Sequence, residues 1–162
     1  MSNQIRRAVC PGTFDPVTNG HVDIFRRTAW LFDEVVVAAG VNPSKSRLFD
    51  AEERLAMLRR ACADLPNVRV DGFTGLLTDY CVDNGIHAIV KGLRTGDFDY
   101  ELQMAHMNAT LAAGVETVYL PTTPQNSFLA SSLIKEVASL GGDVSGLVPG
   151  FVHEALLARL GR

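Results

Sequence analysis

The sequence predicts an α/β fold: a doubly wound parallel sheet of five strands, with further helices at its C-terminal end. Three observations lead there. Short apolar runs rich in Val and Ile recur along the chain, as buried parallel strands do. A helical pattern separates each run from the next, and strand–helix alternation with right-handed crossovers builds a parallel sheet. Segments rich in glycine, proline and basic residues follow the runs, at the strand ends where such sheets take their ligands.

The first strand is expected at about Ile5–Cys10, and the Pro11–Asn19 turn leads into a helix from about Gly20 to Phe32. A second strand covers Glu34–Val41. The next helix opens at Asp50 with Glu53 three residues on, a capping-box pattern, and carries Leu55, Leu58 and Cys62 on one face. A third strand at Val68–Asp71 leads to a helix over Leu76–Asn84. A fourth at Ala88–Val90 leads to a helix over Tyr100–Ala113, where Leu102, Ala105, Ala109 and Ala112 recur at helical spacing. The fifth strand, Val115–Leu120, precedes helices at Ser131–Leu140 and Gly150–Leu160. With no linker, repeat or low-complexity tract, residues 1–162 read as one domain.

Composition sets limits on function. A net charge of −3 gives no general pull toward nucleic acid or membrane, so any anion site must be built locally. The first ten residues lack the apolar core of a signal peptide, and no apolar run is long enough for a membrane span. Three cysteines, none in a CxxC pair, read as free thiols of a reducing compartment, and a cytoplasmic location is expected. No metal-ligand cluster of Cys and His stands out. His87, His106 and His153 read as structural or surface residues, Trp30 as core or interface, and Met57, Met104 and Met107 as packing.

Five blocks carry chemistry. The first is Pro11–His21, PGTFDPVTNGH, between the first strand and the first helix. A helix start presents unpaired N–H groups and a positive dipole end to phosphate. Gly20 allows close backbone approach, and His21 adds a donor on the first turn. The second block is Asn42–Arg47, where Lys45 and Arg47 make either a phosphate-holding rim or a solvated basic loop. The third, Gly72–Leu77, is by itself an ordinary turn into a helix. The fourth, Lys91–Glu101, sets Lys91 and Arg94 around Gly92 on a loop able to wrap a triphosphate; a capped, solvated loop reads equally well. In the fifth, Asn126–Lys135, serines before an apolar periodic run read first as N-caps, and a capped N-terminus is itself a phosphate seat.

Together these blocks resemble the nucleotidyltransferase superfamily with its T/H-x-G-H signature, and more narrowly the bacterial phosphopantetheine adenylyltransferase family, from Arg7 to about Leu160. KGLR…DFDYE is similar to the family's R/K-G-L-R…D-[FY]-x-Y-E, and LASSLIK to its I-S-S-S-x-x-[KR]. The chain departs at Gly75, where relatives often carry an acid, at Asn126 and Ala130, and in a loop after Arg94 one residue shorter than many.

The resemblance implies a Rossmann-like enzyme that moves adenylate from ATP to 4′-phosphopantetheine. It places His21, Lys45 and Arg94 in catalysis. ATP would meet Thr13, Phe14, His21, Gly92, Leu93, Arg94, Glu101, Asn126, Ser127, Phe128, Leu129, Ala130, Ser131 and Ser132. The acceptor would meet Thr13, Lys45, Leu77 and Lys91. It further implies Mg²⁺ bound with ATP, coenzyme A as feedback inhibitor and a homohexamer. The residues agree with that chemistry: a phosphate monoester, with a second pKa of about 6, is already a nucleophile at neutral pH and needs no general base. Two alternatives stay open at this point, another adenylyl- or cytidylyltransferase of the superfamily and a nucleotide-binding module without catalysis.

Overall fold

The computed structural model describes residues 5–162, so the first four residues of the expected domain lie outside it. Five parallel strands form one sheet in the order β3-β2-β1-β4-β5. They are β1 Arg7–Gly12, β2 Glu34–Gly40, β3 Val68–Phe73, β4 Ala88–Leu93 and β5 Glu116–Pro121. The helices are α1 Asn19–Leu31, α2 Ala51–Ala61, α3 Leu77–Asp83, α4 Phe98–Leu111, α5 Ser131–Ser139 and α6 Gly150–Arg159, with a 3₁₀ turn at Pro124–Asn126. This is the doubly wound, Rossmann-like α/β architecture that the alternation predicts.

The central strands are enclosed: Val35, Val36, Val37, Ala38 and Ala39 of β2 are each 1% exposed or less. Apolar side chains alternate onto both faces of the sheet. One cluster joins Ala8, Cys10, Val35, Val37 and Val90 to Phe25, Leu58 and Leu156. The other joins Val9, Val36, Ala38 and Ile89 to Cys81 and Ile86. The edge strands β3 and β5 are only half-buried, short of the full burial expected of them.

Several boundaries move. β1 starts at Arg7 because Arg6 and Arg7 pair with Asp33 and Glu34, leaving Ile5 half exposed. β3 and β4 run on through Phe73 and Leu93, past glycines that read as loop. Helix α4 buries none of its residues. Its apolar spacing instead leaves Tyr100, Met104, Met107 and Leu111 exposed, which corrects the packing role expected of both methionines. Trp30 is 92% exposed and no part of the core. Met57 does pack against the core, while His87 and His106 are exposed. Among the described residues no helix is long and apolar enough to cross a membrane.

The feature that positions the site is a split in the sheet. β1 keeps register with β2 from Arg7 to Gly12, but pairs with β4 only at Ala8↔Ala88 and Val9↔Ile89. Beyond Val9 the two strands part. Pro11, which has no N–H to give a ladder, sits in the parted segment. This is also where the winding direction reverses, the usual place for a ligand in such sheets.

Candidate active site

A cavity of about 390 Å³ opens where β1 and β4 part. Pro11 and Gly12 line one side, Lys91 and Gly92 the other, with Gly20 and His21 of α1 and Ala130–Ser132 of α5 around it. The glycines hold it open. A Cβ on Gly12 would stand 2.7 Å from the Phe14 ring, and one on Gly92 2.9 Å from Ile24 Cγ1. Lys91 and Gly92 thus stand on β4 and not on the wrapping loop expected of them; they pair with Tyr119 and Leu120 of β5.

His21 is fixed by the start of its own helix. Thr18 is the N-cap of α1, and His21 takes the third helical position, where a capping box normally has Glu or Gln. The Thr18 N–H donates to His21 Nδ1 at 3.0 Å, and the His21 N–H donates to Thr18 Oγ1 at 3.3 Å. With Nδ1 accepting, the ring proton sits on Nε2. Burial, and after it the charge of Arg94, push the imidazole pKa down to about 4, so the ring is neutral at pH 7. Phe14, held at a φ of 53°, meets His21 edge to face with ring centroids 5.0 Å apart. The site therefore offers a neutral N–H donor of fixed tautomer.

Arg94 arrives with its fork already engaged. Nε and Nη2 donate to the Asp97 carboxylate at 2.7 and 3.3 Å, and Nη1 donates to the Leu129 carbonyl at 2.8 Å. Lys91 Nζ stands 3.5 Å from Glu101 Oε1. The Tyr119 hydroxyl donates to the Glu101 carbonyl at 2.6 Å, tying α4 to β5.

Lys91 and Glu101 also line a second cavity, of about 350 Å³, beside the first. Its walls are largely apolar, from Phe73, Leu76, Leu77, Tyr100 and Met104. A third hollow of about 480 Å³ carries Thr13, Lys45 and Arg47 and shares Phe73 and Gly75 with the second. Underneath lies the buried Arg54, whose Nη1 donates to the carbonyls of Thr13 and Gly40 at 2.6 and 3.2 Å. Three spaces with shared walls result: a cleft that carries His21, Arg94, Asp97 and the serines, an apolar arm, and a basic mouth.

Most residues expected to hold ATP line the first cleft: Phe14, His21, Gly92, Arg94, Glu101, Asn126, Leu129, Ala130, Ser131 and Ser132. Thr13 stands at the basic mouth instead. Leu93, Ser127 and Phe128 line neither: the Leu93 carbonyl accepts from Thr122, the Ser127 hydroxyl donates to the Pro124 carbonyl, and Phe128 is 55% exposed. Of the acceptor set, Lys91 serves cleft and arm, Leu77 the arm, and Lys45 the mouth.

The serines are not caps. Ala130 is the N-cap of α5 and has no polar side chain to cap with, and the Ser131 hydroxyl, one position on, donates to the Pro16 carbonyl at 2.7 Å. The first-turn amides of α5 are left to face the cleft. Thr18 and Arg54 escaped the sequence reading. The cap was hidden because histidine stands at its third position, and Arg54 because it looks like one more charge in a helix opening.

The family model described as "Cytidylyltransferase-like" matches residues 9–137. The chain is 68% identical over 155 residues to the "Phosphopantetheine adenylyltransferase" of Nocardioides sp., covering 95% of this chain and 97% of that one. It is 59% identical to the protein of that name from Streptomyces coelicolor (96% and 98% covered) and 57% identical to that from Frankia casuarinae (96% and 99%). Among solved structures, the lipopolysaccharide core biosynthesis protein from Thermoplasma volcanium aligns with a TM-score of 0.56 at 23% identity, over 74% of this chain and 99% of that one; it speaks to the fold alone.

Proposed function

The chain belongs to the cytidylyltransferase-like family, and within it to the phosphopantetheine adenylyltransferases; from that premise we propose that it transfers adenylate from ATP to 4′-phosphopantetheine, giving dephospho-coenzyme A and pyrophosphate, in coenzyme A synthesis. One observation carries the site reading. Lys91 and Glu101 line both the polar cleft and the apolar arm. A nucleotide in one and a long thin acceptor in the other would bring their phosphates together at this lysine.

In the reaction an acceptor phosphate oxygen attacks the α-phosphorus of ATP, the new O–P bond forms, and the bond to the β-phosphate bridging oxygen breaks. No proton need leave the acceptor, which is largely dianionic at pH 7. The residues bind, align and stabilise charge. His21 donates Nε2–H as charge builds on the transferring phosphoryl group. Arg94 and the first-turn amides of α5 receive the pyrophosphate, and Lys91 and Lys45 hold the acceptor phosphate. Thr13 borders the mouth through which it enters.

Mg²⁺ would arrive on the nucleotide. The two carboxylates of the cleft, Asp97 and Glu101, are each paired with a cation, Arg94 and Lys91, so the donor set suits an ion carried by phosphates. When bound, that ion supplies charge neutralisation on the triphosphate. Coenzyme A shares the pantetheine arm and an adenylate with the product and is proposed to compete for the same cleft. Assembly as a homohexamer is proposed from the family resemblance alone; the exposed apolar side chains of α4, Tyr100, Met104, Met107 and Leu111, line the arm. The three buried free thiols suit the cytoplasm as the place of action.

The deciding experiment is pyrophosphate release from MgATP with a panel of acceptors. 4′-Phosphopantetheine should exceed pantetheine and nicotinamide mononucleotide by orders of magnitude. The first lacks the anchoring, nucleophilic phosphate, and the second has no group to fill the arm. Comparable turnover of either would overturn the acceptor assignment.

A further inference from the structure

Among the described residues, Asp15 is the only acid enclosed in the interior, 2% exposed. Its carboxylate accepts three hydrogen bonds, from two parts of the chain remote from it and from each other. The Phe49 N–H donates to Oδ1 at 2.9 Å, and the Leu48 N–H to Oδ2 at 2.9 Å. Lys135 Nζ donates to Oδ2, also at 2.9 Å. Burial drives the Asp15 pKa up, but the hydrogen bonds from Lys135 and the two amides more than reverse this, holding it below the usual carboxylate range.

The partners decide what the carboxylate does. Leu48 and Phe49 close the loop that carries Lys45 and Arg47 at the basic mouth. Lys135 lies on α5, whose first turn faces the nucleotide cleft. The same short segment holds α5 a second time, through Ser131 Oγ and the Pro16 carbonyl. The loop end is further secured by Arg159, which donates to the Leu48 carbonyl and covers the Phe49 ring at 5.1 Å. Asp15, Pro16, Leu48, Phe49 and Lys135 line neither the cleft nor the mouth, and Ser131 alone of the group lines the cleft, so these contacts join the two spaces from behind.

We propose that Asp15 is a positioning residue that fixes the Lys45 loop and the N-terminus of α5 relative to each other, and so sets the in-line approach of the two substrates' phosphates. The inference rests on the adenylyl-transfer reading above. In-line displacement is sensitive to such alignment: a misplacement of about 1 Å can cost about 100-fold in rate. Asn in place of Asp15 keeps the volume but turns one oxygen into an N–H₂ donor facing donors. Gln in place of Lys135 removes the charge from α5 and leaves the two loop amides satisfied.

The test is two-substrate steady-state kinetics on wild type, Asp15→Asn, Lys135→Gln and the double variant, with thermal melts to confirm folding. Asp15→Asn should lower kcat by about 10- to 100-fold and raise KM for both substrates. Lys135→Gln should lower kcat and raise KM for ATP, leaving KM for phosphopantetheine within about twofold. The double variant should be no worse than Asp15→Asn alone. Folded variants with wild-type kcat and both KM values, or a uniform change in both KM values for Lys135→Gln, would overturn the proposal. If Asp15→Asn does not fold, the ATP-only effect of Lys135→Gln decides it. A wild type that turns over with unaltered variants defeats the inference alone; a wild type silent toward both substrates defeats the reaction and the inference with it.

Discussion

The Thr18 N–H donates to His21 Nδ1 across 3.0 Å, so the residue that caps α1 also selects which nitrogen of the His21 imidazole carries the proton. The Thr18 hydroxyl stands 3.2 Å from the same nitrogen, and among the described residues no carboxylate hydrogen-bonds the ring, which lines the cleft.

His21→Ala should therefore lower turnover by about 10²- to 10³-fold, roughly 3–4 kcal/mol, the loss typical of one transition-state donor. KM for ATP should move far less. Thr18→Val makes the contrast: it keeps the backbone N–H that holds Nδ1 and loses the hydroxyl, which caps the helix and stands 3.2 Å from Nδ1, costing about 1 kcal/mol of stability and much less turnover than His21→Ala. Turnover and denaturation measured on both variants check this, and a folded His21→Ala near wild-type rate would remove His21 from the mechanism.

Acid should destabilise the protein through the same residue. The folded His21 titrates near 4 against 6.5 in the unfolded chain, so between those values the unfolded state binds more protons. Stability is thus lost as pH falls from about 6.5 toward about 4. The depressed carboxylates, Asp15, Asp33, Asp64, Asp71 and Asp143, begin to add their losses at about pH 5, and these grow as pH falls through 3.8 and below. Urea denaturation across this range should show the upper window flattened in His21→Gln; an unchanged slope would contradict the neutral buried ring.

Lys91→Ala should weaken 4′-phosphopantetheine by about 10- to 100-fold, the range for a charge-assisted hydrogen bond, and ATP by less. The substitution also leaves the Glu101 carboxylate without its partner in the wall of both cavities. Lys91→Arg should be tolerated. Titration of each ligand separately distinguishes this from a general field effect, which would weaken both equally.

Gly92→Ala should act through space and not through charge. Its Cβ would meet Ile24 Cγ1 at 2.9 Å, pressing β4 against α1. A loss of about 1–3 kcal/mol is expected, with nucleotide affinity falling as the cleft deforms. Denaturant unfolding and nucleotide titration check it, and an alanine variant of unchanged stability would show that α1 yields freely.

Much of this was legible in the sequence, because it resides in local pattern. Val- and Ile-rich runs place the five strands, and the PGTFDPVTNGH block puts His21 at a helix start beside a strand end. What was not legible depends on partners distant along the chain. Lys91, Gly92 and Leu93 look like loop, yet β5 supplies them a ladder. The apolar spacing of α4 looks like core, but nothing among the described residues buries it. Ser131 has the signature of a cap, and spends its hydroxyl on a carbonyl 115 positions away. The Thr18–His21 box was missed for a chemical reason: an imidazole nitrogen does there what a carboxylate usually does.

The parted strands have a mechanical consequence. β3, β2 and β1 form one hydrogen-bonded slab, β4 and β5 another, and among the described residues the strand register between the two is limited to Ala8–Val9 against Ala88–Ile89. The sheet has a waist, held above and below by side-chain packing more than by its ladder. A molecule lodged between Gly12 and Gly92 sits beyond the last rungs shared by the two slabs, and touches both where no ladder joins them.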